Sequence, residues 1–222
     1  MVKAVVFDMF ETLVTHYRSE WYFGEHIAAD MGLSEDKFRE IWDATEDART
    51  LGQKTFEETI KEILHKNNIY SEELCGKIVT KRFENKKVLF TNFREDIIPM
   101  LEALHERGLK LALISNCFDE EVAAIKPSKL YSYFDVPVLS YEVGLQKPDL
   151  AIYRYALERL GLKPEECLYV GDGGNSELQS ATKVGMKALQ ARWYLPENTR
   201  KTPKYMYEFE GLDEPLDILK YV

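Results

Sequence analysis

Five short apolar segments constrain this chain more than any other feature: "KAVVFD" (3–8), "KLALIS" (110–115), "VPVLS" (136–140), "CLYVG" (167–171) and "KALQA" (187–191). Each is apolar throughout rather than alternating, as a strand must be when both its faces are covered, and each adjoins a helical pattern. Strands of that kind separated by helices predict an α/β fold, a parallel sheet with helices on both sides. A helix over 93–107 leads into the second strand and stops at Gly108, and one over 149–160, opening after Lys147-Pro148, stops at Gly161.

Residues 15–88 break the alternation. The stretch is helical and carries no strand pattern. Ser34 precedes "EDKFREIWDATEDA", Thr55 and Glu58 form a capping box before "FEETIKEILHK", and Ser71 opens "EELCGKIVTKRF", with Gly32 and Gly52 between. The expected organisation is a sheet core of residues 1–14 and 89–222 with a helical bundle of residues 15–88 inserted after the first strand, above the strand ends where open α/β sheets bind ligands. The tail from residue 195 reads as a polar loop, then "LDILKYV" packed on the core edge.

With 222 residues, 45% hydrophobic and 30% charged, the chain can bury a sizeable core. Its 38 acidic residues against 29 basic ones, net charge -9, argue against diffuse attraction to nucleic acid, so an anionic ligand needs a local basic site. Cys75, Cys117 and Cys167 are odd in number and widely spaced, which fits buried thiols and neither a disulfide framework nor a zinc site. No apolar run approaches the ~20 residues that span a bilayer and no signal-peptide pattern opens the chain, so a cytoplasmic protein is expected.

Four chemical signals stand at strand ends. Asp8 closes the first segment, with Thr12 four residues on. Ser115 and Asn116 close the second, Lys147 precedes a helix in "GLQKPDLAIY", and "YVGDGGNSE" carries Asp172 and Glu177 across a glycine turn. An unpaired buried carboxylate is costly, a hydroxyl and a free N–H can hold an anionic oxygen, and converging carboxylates are the hard oxygen ligands Mg²⁺ accepts. The glycines match neither GxGxxG nor GxxxxGK[ST].

In this order "FDMFETL", "LISN", "KPD" and "GDGGNSE" resemble the four motifs of the haloacid dehalogenase-like hydrolases, and the insertion is similar to that family's helical cap. The resemblance implies a Rossmann-like three-layer core, Asp8 as a nucleophile forming an aspartyl-phosphate, and Ser115, Asn116 and Lys147 binding the phosphoryl oxygens. It further implies Mg²⁺ held by Asp8, the Phe10 carbonyl and Asp172, with Glu177 a ligand or one shell out, and a small phosphorylated substrate. Phe10 departs from the pattern, because family phosphatases carry there a second Asp that protonates the leaving group and activates water. Glu11 is the nearest substitute but in an extended segment would point away; His16, Tyr17, Arg18 and Arg49 of the insertion are others. An aromatic at Phe10 also keeps open a 2-haloacid dehalogenase-like reaction, or phospho-ligand binding without turnover.

Overall fold

The computed structural model describes residues 1–195 and 209–222. Strand β1 (Ala4–Phe7) is followed by five helices, α1 (Gly24–Asp30), α2 (Glu35–Trp42), α3 (Glu46–Thr50), α4 (Phe56–Lys66) and α5 (Glu72–Leu89). Then come α6 (Ile97–Glu106), β2 (Lys110–Ser115), α7 (Asp119–Ile125), β3 (Val136–Leu139), α8 (Ser140–Val143), α9 (Leu150–Leu160), β4 (Cys167–Gly171), α10 (Glu177–Val184), β5 (Lys187–Ala191) and β6 (Glu210–Leu212). All pairings are parallel, in the order β3-β2-β1-β4-β5-β6.

The pleat explains why the strand sequences are apolar without alternation. Val5 and Phe7 join one core, with Leu101 and Leu104 of α6, while Ala4 and Val6 join another on the opposite face, with Ile152 and Ala156 of α9 and Ala181 of α10. A third apolar cluster belongs to α1, α2, α4 and α5 and is built on Phe38, Phe56, Ile60, Ile63 and Ile78. Helix α5 lies against α7 through two buried ion pairs, Arg82 with Glu120 at 3.0 Å and Lys86 with Glu121 at 2.6 Å.

All five expected strands form, and a sixth, β6, extends the sheet from the tail. Pro215–Lys220 makes a 3₁₀ turn with Ile218 buried in the first core, as the "LDILKYV" pattern suggested; residues 196–208 of the expected polar loop lie outside the described residues. Other boundaries differ. The helix expected from residue 93 begins at Ile97, because the Arg94 N–H is taken by the Tyr194 hydroxyl (3.0 Å) and the Arg94 guanidinium by Asp96 (2.6 Å) and Glu214. The helix after Ser34 breaks into α2 and α3, since the Thr45 hydroxyl donates back to the carbonyls of Ile41 (2.8 Å) and Trp42 (3.2 Å). Strand β3 stops one residue early because Ser140 turns into α8, its Oγ accepting from the Cys117 N–H at 2.9 Å. The three cysteines are buried and unpaired. Among the described residues no helix is long and apolar enough to cross a membrane.

Candidate active site

Phe7 pairs in register with Leu113 of β2 and Val170 of β4, so the next residues of three neighbouring parallel strands emerge at one edge. The strand order reverses between β1 and β4, where such a sheet opens a crevice at its carboxyl edge. Asp8 and Asp172 flank that crevice. A cavity of about 140 Å³ there is lined by Asp8, Phe10, Glu11, Lys147, Asp172 and Glu177, together with Asn116 and the Gly174-Asn175 turn.

Asp8 is 5% exposed. Its N–H donates to the Val170 carbonyl at 2.9 Å, which anchors the residue to β4. The carboxylate accepts from Lys147 Nζ on Oδ1 (2.5 Å) and from the Thr12 hydroxyl on Oδ2 (3.3 Å). Trp193 Nε1 donates to the Thr12 carbonyl at 2.7 Å and fixes the loop from below. Lys147 is held by backbone as well as charge, because the Asn116 side chain accepts from its N–H at 2.8 Å and donates to its carbonyl at 2.9 Å. That reciprocal pair fixes the start of the lysine's reach, and Nζ ends between Asp8 and Glu177 Oε2, 2.6 Å away.

Glu177 opens α10, 1% exposed. Its oxygens accept from Lys147 Nζ, from the Tyr169 hydroxyl at 2.8 Å and from the Gly173 N–H at 3.1 Å. Gly171 is a requirement of this packing, since a Cβ there would stand 2.1 Å from Glu177 Oε1. Gly173 turns the chain at φ +102°, a conformation open to glycine. The Gly174 N–H donates to Asp172 Oδ1 at 3.0 Å and sets that carboxylate.

Oxygen atoms of Asp8, Asp172 and Glu177 all lie within 4.8 Å of one another. Burial, and then the neighbouring Glu177 carboxylate, push the Asp8 carboxyl up to about 8 against the pull of Lys147. The same two causes push Asp172 up to about 7. Burial works against the charged form of Lys147, but Asp8 and Glu177 outweigh it and hold it protonated. One ammonium among three carboxylates leaves two excess negative charges when all are ionised. An all-oxygen donor set with that excess fits a hard divalent cation such as Mg²⁺.

The structure thus brings together Asp8, Phe10, Asn116, Lys147, Asp172 and Glu177. Ser115 is fully buried and not on the cavity wall; its hydroxyl stands 3.3 Å from the Asn116 carbonyl. Glu11 does border the cavity, contrary to the expectation from strand alternation, because its φ of +56° is left-handed rather than extended. Its carboxylate is committed to the Thr15 hydroxyl and to the His16 N–H and Nδ1, each of the latter at 3.0 Å. Burial opposes this, yet the bonds to His16 and Thr15 prevail and lower its pKa. His16, Tyr17, Arg18 and Arg49 do not line the cavity; His16 stacks on the Phe10 ring at 5.3 Å, and Tyr17 is 56% exposed. Sequence reasoning missed Tyr169 and Trp193, whose signal was a buried polar tip on an aromatic next to the site segments.

Comparison with known proteins agrees with this geometry. The chain is 27% identical, over its whole length and 97% of the relative, to a glyceraldehyde 3-phosphate phosphatase of Methanopyrus kandleri. A phosphatase structure from Thermococcus onnurineus superposes with a TM-score of 0.66 at 22% identity, covering 99% of this chain and 97% of the other. The L-2-haloacid dehalogenase of Xanthobacter autotrophicus has the same fold, with a TM-score of 0.61 at 19% identity over 99% and 98% of the two chains. Residues 2–185 match the family model of haloacid dehalogenase-like hydrolases, and the chain belongs to that family.

Proposed function

We propose that this hydrolase is a Mg²⁺-dependent phosphohydrolase of a small phosphorylated metabolite, with Asp8 as nucleophile. The observation that carries the reading is the placement of Asp8 at the sheet crevice, 2.5 Å from a buried lysine and beside two further carboxylates. Lys147 pulls Asp8 toward its ionised form against burial and Glu177, and can hold a phosphoryl oxygen as charge develops. Asp8 attacks phosphorus, the alkoxide or acyloxide leaves, and water then releases phosphate from the aspartyl-phosphate. Asp8, Asp172 and the Phe10 carbonyl would hold the ion, which supplies charge neutralisation between carboxylate and phosphate. Glu177, already occupied by three donors, orients Lys147 from one shell out. Asn116 sets the lysine's backbone and Ser115 supports the strand end. Residues 15–88 act as the cap over the core of residues 1–14 and 89–222.

Phe10 cannot protonate a leaving group, and Glu11, ionised and held by His16 and Thr15, carries no proton to give. Acyl and aryl phosphates, whose leaving groups need little protonation, are therefore better substrates than alkyl phosphates. A panel of phosphorylated metabolites with and without Mg²⁺, beside a 2-haloacid and with Asp8→Asn as control, tests the reading. Mg²⁺-dependent phosphate release lost in Asp8→Asn is expected. Halide release without metal would replace the phosphatase reading, and no turnover of any compound would leave a binding protein.

A further inference from the structure

Thr12 and Leu13 end the turn that follows Asp8, and both are fully buried. Among the described residues neither of their carbonyls accepts a backbone N–H. Each is met instead by a side chain from the segment after β5, 181 residues further on: Trp193 Nε1 donates to the Thr12 carbonyl at 2.7 Å and the Tyr194 hydroxyl to the Leu13 carbonyl at 3.1 Å. One residue fixes both donors. The Arg94 N–H donates to the Tyr194 hydroxyl at 3.0 Å, and Arg94 Nη1 donates to the Trp193 carbonyl at 3.3 Å. Arg94 is itself held by Asp96 and Glu214. Gln190 of β5, 3% exposed, reaches the other carboxylate turn, its Nε2 donating to the Asp172 carbonyl at 2.8 Å.

An amide, an indole and a phenol each carry a polar group whose burial is unfavourable unless it is bonded, so Gln190, Trp193 and Tyr194 are a poor way merely to fill the end of a strand. What they share is their acceptors, the carbonyls of the two turns that carry Asp8 and Asp172. Thr12 links this brace to the chemistry. Its hydroxyl donates to Asp8 Oδ2 at 3.3 Å, so the residue that Trp193 holds by its carbonyl also limits rotation of the carboxylate, whose other oxygen meets Lys147. Between them stands Glu11 at φ +56°, a conformation unfavourable for a residue with a side chain and kept only where the surrounding chain is fixed.

We infer that Trp193 and Tyr194 are positioning residues for Asp8: braced on Arg94, they hold the turn after the nucleophile so that its carboxylate stands in attacking geometry before substrate arrives. The inference rests on the phosphohydrolase reading above and adds to it two residues that do not border the reaction cleft. They act on Asp8 through Thr12 and Leu13 and take no part in bond breaking.

The test uses the full chain with Mg²⁺ and 4-nitrophenyl phosphate, the enzyme in excess, so that nitrophenolate release reports the first step alone. In that step an Asp8 oxygen bonds to phosphorus and the aryl oxygen leaves with the bonding pair. Trp193→Phe keeps an aromatic ring in the core and removes the N–H. Its maximal first-turnover rate should fall about 10- to 100-fold, with the enzyme concentration for half-saturation within about threefold of native. Tyr194→Phe, which removes only a hydroxyl, should show the same split with a loss of about 3- to 10-fold, and decides the matter alone if Trp193→Phe does not fold. Amide hydrogen exchange gives a readout without turnover. The Leu13 and Val14 N–H groups, both bonded to the Met9 carbonyl, should exchange about tenfold faster in either variant relative to Leu113 of β2, whose exchange follows overall stability. A first-turnover rate unchanged in both variants, or lowered through weaker substrate binding alone, overturns the inference and makes the two rings structural. So does exchange that speeds equally at Leu13 and Leu113. No nitrophenolate release from the native chain, with the exchange response intact, would refute the phosphohydrolase reading and not the brace.

Discussion

Lys147→Met isolates the lysine that joins the two buried carboxylates. One ammonium, its side chain 4% exposed, stands 2.5 Å from Asp8 and 2.6 Å from Glu177, so water screens neither contact. Deleting one partner of a buried pair costs about 3–5 kcal/mol, because the other charge stays behind. For a chain of this size each kcal/mol moves Tm by about 2–4 °C, so the variant should melt about 6–20 °C lower at pH 8 without divalent ions. Lowering the pH should narrow the gap. Asp8 and Asp172 are already pushed up to about 8 and about 7, and loss of the cation moves them in the same direction. A carboxyl whose folded-state pKa exceeds its unfolded value binds its proton more tightly when folded, so it favours folding at low pH and withdraws that support as pH rises through the folded value. Protonation below about pH 6 therefore relieves the repulsion that the methionine cannot. Thermal melts of native and variant protein from pH 5 to pH 8.5 in chelator measure this. A loss under 3 °C at pH 8, or one that does not shrink on acidification, would refute the view that the Lys147 charge holds the carboxylates together.

Phe10→Asp should shorten the life of the aspartyl-phosphate and raise turnover of alkyl phosphates up to about 10²-fold, read by rapid quench; slower turnover on every substrate would mean that Phe10 serves another chemistry. The same change gives up the ring contacts with His16 and Phe90, so a Tm lower by several degrees accompanies any gain. Tyr169→Phe removes a 2.8 Å bond to a buried carboxylate and should lower stability by about 1.5–3 kcal/mol in urea titration, with weaker turnover from a less constrained Lys147. Asp119, pushed up to about 7 mainly by burial and next by Glu120, accepts from the Phe56 N–H at 2.7 Å. Its contribution falls as pH rises from about 4 to 7, so Asp119→Asn, which keeps the acceptor without the charge, should gain more stability relative to native at pH 8 than at pH 5.

The strands and the site carboxylates were legible in the sequence because burial on both faces leaves a continuous apolar run, and Asp8 and Asp172 each end one. Three kinds of feature were not. Helix breaks such as that at Thr45, and the late start of α6, depend on which hydroxyl or guanidinium reaches the backbone, a matter of tertiary contact rather than periodicity. Tyr169 sits in an apolar run like any core residue, and its role appears only when the glycine at 171 lets Glu177 close on it. The charges of Arg82 and Lys86 are buried by ion pairs with α7, which could not be read from α5 alone.

Glu11 shows how one backbone angle decides a chemical reading. Period-2 alternation places it away from Phe10, and the argument is sound for an extended chain. At φ +56° the chain turns instead, and both side chains border the cavity. Proximity still does not make Glu11 an acid. Its bonds from Thr15 and His16 stabilise the ionised form, His16 continues to Lys86 Nζ at 3.2 Å, and Lys86 to Glu121 at 2.6 Å. The carboxylate is the end of a chain of hydrogen-bonded side chains that ties the first loop to α5 and α7. A proton placed on it would weaken the bonds that hold it, so Glu11 stabilises the loop, and under the proposed phosphohydrolase reading the reaction would depend on the leaving group's own ability to depart.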